Sequence, residues 1–238
     1  MERTFDSAWL NELANEPSIR PHVGPGTHAL DLTSFIRNKN NYVMRNDHGC
    51  FIGHHRGGGM YEVHTLMRRT GWGRVAFNAA KEGMSKMFLS TDCSRLVTQT
   101  PKSNRRAKGL TVMTGFKKDF ERDSGFMGPT EYWSMNIWDW IRATDFSESG
   151  QWFHDELERQ GESADHKHDQ AHDKYVGLAV EMIKARQHRK ALAIYNDWAL
   201  LAGYMPIFVV SESPLKINIH TAVLTMKNDK FEVEAVCQ

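Results

Sequence analysis

Cysteine is scarce in this 238-residue chain: Cys50, Cys93 and Cys237 are the three. They are far apart and odd in number, which argues against a disulfide framework, and there is no CxxC knuckle to hold zinc. A reducing, intracellular setting, the cytoplasm, is the expectation. An excess of either charge is missing too. The 30 Lys and Arg residues meet 29 Asp and Glu, for a net charge of +1, so there is no long-range pull toward nucleic acid or a membrane surface. No apolar run reaches the length of about 18 residues that a transmembrane helix needs. Residues 1–6 hold no apolar signal core. Internal repeats and low-complexity segments are absent as well. What remains is 40% hydrophobic and 25% charged, the composition of a globular chain with a buried core, long enough for one large domain or two modest ones.

Periodicity divides the chain near residue 145. Upstream, residues 5–16 read as a helix with Trp9, Leu10 and Leu13 on one face and Pro17 as its stop. Strands are expected at 41–46 and 50–55, around a turn at Asp47-His48-Gly49, and again at 61–67. Gly57-Gly58-Gly59 reads as a turn and not as a phosphate cradle, because no Lys-Ser or Lys-Thr follows and no helix opens there. A helix over 71–88 buries Ala76, Ala79, Ala80, Gly83, Met87 and Phe88 at helical spacing. A strand at 96–100, a helix at 104–114 and strands at 116–122 and 131–137 complete this half. Downstream, helices are expected at 148–160, 165–185 and 190–202, then strands at 207–210, 217–226 and 231–236. The last helix carries an apolar stripe of Ala191, Ile194, Tyr195, Trp198 and Leu201 or Ala202, and Gly203 is its C-cap signal.

The chemistry concentrates where the strand ending at Met67 turns into a helix through Arg68-Arg69-Thr70-Gly71-Trp72-Gly73-Arg74. A helix start exposes backbone N–H groups that the helix cannot pair, and its dipole is positive there. Both features suit an anion such as a pyrophosphate. Gly71 and Gly73 would let the backbone approach it without a Cβ in the way. Arg68, Arg69 and Arg74 add charge. Glu62 and His64, two apart on the preceding strand, share one face of the sheet. A His near its unperturbed pKa, or a Glu raised by burial, would serve as a base.

Arg68-x-x-Gly71-x-Gly73 resembles the pyrophosphate loop of the GNAT acyltransferases. Pro101-x-x-Asn104-x-x-Ala107-x-x-Leu110 followed by Gly115-Phe116 resembles that family's second motif, in which Asn and Ala open a helix beside the pantetheine arm. The resemblance covers roughly residues 1–140. It implies an α+β fold, a mixed, mainly antiparallel sheet flanked by helices, with the parallel part splaying at the glycine loop. It implies acetyl-CoA as acyl donor and no metal. CoA would be held by Leu66, Met67, Arg68, Arg69, Thr70, Gly71, Trp72, Gly73, Arg74, Asn104 and Ala107. An unidentified amine would be the acceptor, with Glu62 or His64 as its base. Family members often carry, one residue after the helix leucine, a Tyr that protonates the departing thiolate; this chain has Thr111. A threonine hydroxyl is a poor acid at neutral pH, which leaves Ser103, Tyr132 or water.

Other clusters admit two readings each. Lys102, Arg105, Arg106 and Lys108 form a basic run that contacts CoA phosphate or is a solvated helix face. No interleaved aromatics support a nucleic-acid groove. His166, His168 and His172, with Asp165, Asp169 and Asp173, read as a polar helix start more readily than as a metal site without cysteine. The second half, through Phe153-His154, Leu157-Glu158, Lys190-Ala191, Tyr195-Asn196-x-Trp198-Ala199 and Gly203-Tyr204, resembles an extension of bacteriophage-encoded GNAT-like proteins. That resemblance adds phage structural proteins as partners, the virion as a location and a non-catalytic assembly module as the rival to the enzyme. A nucleic-acid-modifying enzyme is a third reading. The expected organisation is a GNAT-like acyl-CoA-binding domain over 1–144, with a helix-and-strand extension over 145–238 packed on it. Every loop residue lies upstream of that boundary. A chain truncated after residue 145 is therefore expected to keep CoA affinity within a few-fold by calorimetry while losing acceptor use or assembly. A folded truncation without CoA affinity would refute the division.

Overall fold

The computed structural model describes residues 1–24, 28–146, 148–151, 153, 155, 170–204, 207–212, 215–219, 222–227 and 230–235. The chain divides into two compact units, Met1–Ala143 and Thr144–Gln238. In the first, the described elements run β1 (Glu2–Arg3), α1 (Ser7–Asn15), α2 (Thr33–Arg37), β2 (Tyr42–Asn46), β3 (Gly49–Gly57), β4 (Met60–Met67), α3 (Arg74–Ser90), β5 (Arg95–Pro101), α4 (Arg105–Met113), β6 (Lys117–Asp123), β7 (Pro129–Asn136) and α5 (Ile137–Ala143). The seven strands form one sheet in the order β1-β2-β3-β4-β5-β7-β6. Only β4 and β5 are parallel; every other pair is antiparallel. The fold is thus the expected α+β architecture, a mixed, mainly antiparallel sheet with helices on it. The strands β2 to β7 and the helices α1, α3 and α4 fall where periodicity puts them. The short α2, α5 and two-residue β1 carry too little pattern to be read in advance. The helix expected from residue 71 begins at Arg74, because Arg69–Gly71 form a separate 3-10 turn.

Helices take opposite faces of the sheet for reasons visible in the side chains. Asp6 caps α1 by accepting from the Trp9 N–H at 3.0 Å. The apolar side of α1, Leu10, Leu13 and Ala14, joins Ile36 of α2 over Val43, Cys50, Ile52 and Leu66. Burial pushes the Cys50 thiol up to about 12, so it is no thiolate nucleophile. Two asparagines of α1 fix the loop that follows. Asn15 exchanges two hydrogen bonds with the Leu30 backbone, at 2.7 and 2.8 Å, and Asn11 accepts from the Leu32 N–H at 2.7 Å.

The other face belongs to α3, whose Ala76, Ala79, Ala80, Gly83, Met84, Met87 and Phe88 are buried. A Cβ on Gly83 would lie 2.6 Å from Phe51 Cγ, and one on Gly53 would lie 2.8 Å from Met87 Cε. Two missing side chains therefore set how closely α3 lies on β3. Phe88 also stacks on Trp140 of α5, ring centroids 5.0 Å apart.

The second unit contains α6 (Gln170–Lys184), α7 (His188–Ala202) and strands β8 (Phe208–Glu212), β9 (Leu215–Ile219), β10 (Ala222–Lys227) and β11 (Lys230–Ala235). The strands form an antiparallel meander in sequence order. The single strand expected over 217–226 is corrected to two, β9 and β10, which pair with Leu224 opposite Ile217. The stripe on α7 is corrected as well. Ala191, Ile194, Tyr195 and Ala199 are buried, but Leu201 is 89% exposed and Ala202 is exposed. Most of the helix expected at 148–160 lies outside the described residues. No helix among the described residues is long and apolar enough to cross a membrane.

The Gly83 contact yields a stability test. Gly83→Val forces a branched side chain into Phe51, and overpacking of this kind costs about 1–3 kcal/mol. Urea denaturation of the variant is expected to show that loss, and unchanged stability would mean that α3 does not sit this close to β3.

Candidate functional site

The parallel β4–β5 ladder is three residues long. It pairs Met60 with Arg95, Tyr61 with Leu96 and Glu62 with Val97, and there it stops. Beyond that point β4 keeps its partner β3 as far as Met67, and β5 keeps β7 as far as Pro101. The facing edges over residues 63–67 and 98–101 have no ladder between them, so the sheet opens into a notch. Two side chains reach carbonyls on the β4 edge: Thr98 Oγ1 donates to the Val63 carbonyl at 3.0 Å, and Trp72 Nε1 to that of Met67 at 3.2 Å.

Glu62 stands at the closed end of the notch. It is 6% exposed. Gln99 Nε2 donates to its Oε1 at 2.9 Å, Arg56 Nε to its Oε2 at 2.9 Å, and His64 Nε2 lies 3.4 Å from Oε1. The hydrogen bond from His64 is the largest influence on this carboxyl. Together with Arg56 it outweighs burial and holds the pKa down to about 2. The expectation of a glutamate raised by burial is therefore wrong, because burial here comes with a cation and three donors. The pairing of Glu62 with His64 on one face is as expected, with His64 exposed at the surface of the site. Arg56 and Gln99 were not legible. One sits in the bulge between His55 and Gly57, and the other belongs to the next strand.

The turn after β4 forms the mouth. Gly73 is the N-cap of α3 with φ +74°, and no side chain caps this end. Among the described residues a Cβ on Gly73 would meet nothing within 4 Å, so there the helix start is open, its first-turn donors uncapped by any described side chain. Gly71 serves another purpose. A Cβ there would fall 2.6 Å from His48 Cβ, so its lack of a side chain makes room for His48. Thr70 Oγ1 lies 3.2 Å from His48 Nδ1. Arg68 is engaged by an acid and a carbonyl. Its Nε and Nη2 each lie 2.7 Å from Glu16 Oε1, and Nη1 donates to the Asp47 carbonyl at 3.3 Å. Its charge ties the loop to the end of α1. Leu66 and Met67 point into cores, the first against α1 and the second against Ala76 and Ala79, which leaves only their backbone to face the notch.

Exposed cations at the mouth come instead from Arg69, Arg74, Arg105 and Arg106. Trp72, 38% exposed, carries the Arg106 guanidinium at 4.0 Å from its ring centroid and that of Arg69 at 5.8 Å. This contact joins the start of α4 to the turn before α3. Asn104 opens α4 by accepting from the Ala107 N–H at 3.1 Å, as a helix cap does. Thr111 faces inward, and its hydroxyl donates to the Ala107 carbonyl at 2.9 Å. Of the basic run, Lys102 pairs with Glu121 and Lys108 with the buried Glu131.

The histidine cluster is only partly open to description, since Asp165, His166, His168 and Asp169 lie outside the described residues. His172 is buried, 4.8 Å from the Tyr204 ring centroid and 3.5 Å from the Tyr195 hydroxyl. Among the described residues no group of three ligating side chains could hold a metal.

Comparison with known proteins finds no matching family model and no matching curated protein. Solved structures do resemble part of the chain. One is an aminoglycoside acetyltransferase in complex with coenzyme A, with 17% identity, 58% of this chain and 92% of that chain covered and a TM-score of 0.48. A second is a spermidine N-acetyltransferase from Vibrio cholerae, at 10% identity, 55% and 89% coverage and TM-score 0.46. A third is a GNAT-family acetyltransferase from Bacillus anthracis, at 14% identity, 57% and 92% coverage and TM-score 0.46. Each is a likeness of chain path, and the chemistry of this chain is argued from its own residues.

The lowered Glu62 pKa has a definite sign in stability. A carboxyl whose folded pKa lies below its ordinary 4.5 stabilises the fold above that value, and the stabilisation is lost as pH falls toward about 2. Glu62→Gln cannot show this dependence. Between pH 6 and pH 3, urea denaturation is therefore expected to show a larger loss for the native chain than for the variant, and equal losses would mean that Glu62 is not held by His64 and Arg56.

Proposed function

We propose that this chain transfers an acetyl group from acetyl-CoA to an amine. The observation that carries the reading is the notch itself: a sheet that opens between β4 and β5, with a polar acid–imidazole pair at its closed end and a side-chain-uncapped helix start at its mouth. The residues suit CoA. The first-turn donors of α3, with Arg69 and Arg74 beside them, would hold the pyrophosphate. The β4 edge between the Val63 and Met67 carbonyls, outside any ladder, would offer backbone hydrogen bonds to the pantetheine arm. Bound there, acetyl-CoA supplies an activated thioester.

The chain's own contribution is then positional and protonic. His64 takes the proton from the acceptor amine. Glu62, far too acidic to take a proton at neutral pH, holds the imidazole by its Nε2 and stabilises the cation that forms. Glu62 is in this reading a positioning residue. Thr111 supplies no proton, since its hydroxyl is committed to Ala107. Of its possible replacements, Tyr132 lies on the Glu62 side of the sheet, opposite Gln99. Hydrogen bonds from Ser124 and then Arg122 hold its phenol below the usual range.

Thr111 also favours the rival, a non-catalytic module of a phage particle, and CoA binding separates the two. The nucleic-acid reading loses support because Lys102 and Lys108 are paired and Arg106 is stacked. Since CoA esters are intracellular, the reading also proposes the cytoplasm as the site of action.

Gly73→Glu would put a carboxylate at the mouth. Acetyl-CoA affinity by calorimetry is expected to fall tenfold or more, about 1.4 kcal/mol or beyond. His64→Ala and Glu62→Gln are expected to lower kcat more than CoA affinity. A native chain that does not bind acetyl-CoA would overturn the enzyme reading in favour of the assembly module.

A further inference from the structure

Beside the notch, β6 and β7 carry a second constellation, of which the acyl-transfer reading takes up only the Tyr132 phenol. Tyr132 of β7 is paired in register with Gln99 of β5, and Gln99 donates to Glu62. The Tyr132 ring is stacked on Phe120 of β6, centroids 4.5 Å apart and planes 13° from parallel. Phe120 is 52% exposed. Arg122 lies over the Tyr132 ring at 5.2 Å and donates through Nε to the Tyr132 hydroxyl at 3.2 Å. That pose fixes the guanidinium plane. Among the described residues its two terminal nitrogens have no partner, and the side chain is exposed.

A guanidinium held flat with its outer fork unoccupied is pre-organised for a carboxylate, which it grips with two parallel hydrogen bonds. Three of the neighbouring carboxylates are already taken, and Asp123, next to Arg122 in the strand, accepts from the Gly125 N–H. Glu62 is paired with Arg56, Asp119 with Arg95, and Glu121 with Lys102 and Lys118. A polycationic amine would find no unpaired carboxylate among these, and would meet Arg122 as a like charge.

We infer that the acceptor is a primary amine that also carries a carboxylate and an apolar or aromatic body, with Arg122 receiving the carboxylate and the exposed Phe120 ring covering the body. This rests on the acyl-transfer reading, which assigns the amine end to His64. Discrimination comes from the acceptor's charge: removing the carboxylate leaves Arg122 without its anion, while a second amine adds repulsion.

The test is thiol release from acetyl-CoA with phenylalanine, phenylalaninamide, spermidine and kanamycin as acceptors. The native chain is expected to favour phenylalanine over its amide by tenfold or more in kcat/KM, and over both polyamines by more. Arg122→Gln is expected to bring the phenylalanine-to-amide ratio toward one, and Arg122→Lys, which keeps the charge but not the fork, to retain part of it. Phe120→Ala is expected to raise KM for phenylalanine. An amide or polyamine used as well as phenylalanine, a ratio unchanged in Arg122→Gln, or turnover of none of the four by a chain that binds acetyl-CoA would overturn the inference and leave the acyl-transfer reading standing. Failure to bind acetyl-CoA would instead overturn that reading, and the inference with it.

Discussion

Everything at the candidate site follows from the place where two parallel strands part. A parallel ladder between β4 and β5 holds for three residues and ends at Glu62 and Val97. Backbone donors and acceptors that a continuous ladder would have consumed are left facing a gap. The gap persists because each strand is held on its far side, β4 by β3 and β5 by β7, so neither can drift across to close it. The close approach of α3 to β3, set by Gly83 and Gly53, holds the helix that follows the glycine turn against the sheet. The stack of Arg106 on Trp72 spans the mouth.

Electrostatics then divides the labour within the notch. A carboxyl as buried as Glu62 would ordinarily be raised toward neutrality. Arg56, Gln99 and His64 reverse that, so Glu62 remains an anion beside an exposed imidazole. A similar economy of charge appears around it. Arg68 is drawn to Glu16 and Lys108 to Glu131, which leaves Arg69, Arg74, Arg105 and Arg106 as the exposed cations of the mouth and Arg122 as that of the neighbouring face. Which arginine is available, rather than how many there are, decides what the surface can recognise.

The second unit shows the limits of a one-dimensional pattern in another way. Its helix α7 is apolar along Ala191, Ile194, Tyr195 and Ala199, as periodicity indicates, yet Leu200 and Leu201 are left at the surface. His172, whose neighbours Asp169 and Asp173 made it look like part of a polar helix start, is buried beside Tyr195 and Tyr204.

Local sequence determined the elements and the turn chemistry. Helical spacing of Ala76, Ala79, Ala80, Gly83 and Met87 named the buried side of α3, period two placed Glu62 and His64 together, and Gly73 marked the position whose positive φ opens the helix. These depend on residues within one or two turns of each other, so the order of residues suffices. Tertiary structure alone decided that Gly71 makes room for His48, that Arg68 belongs to Glu16, that Arg56 and Gln99 keep Glu62 ionised, and that Arg122 lies across Tyr132 with its fork outward. The physical reason is the same in each case. A side chain's charge state and availability are set by partners that the tertiary fold brings alongside, here from as far as 52 residues away in the chain, and no local pattern records which partner arrives.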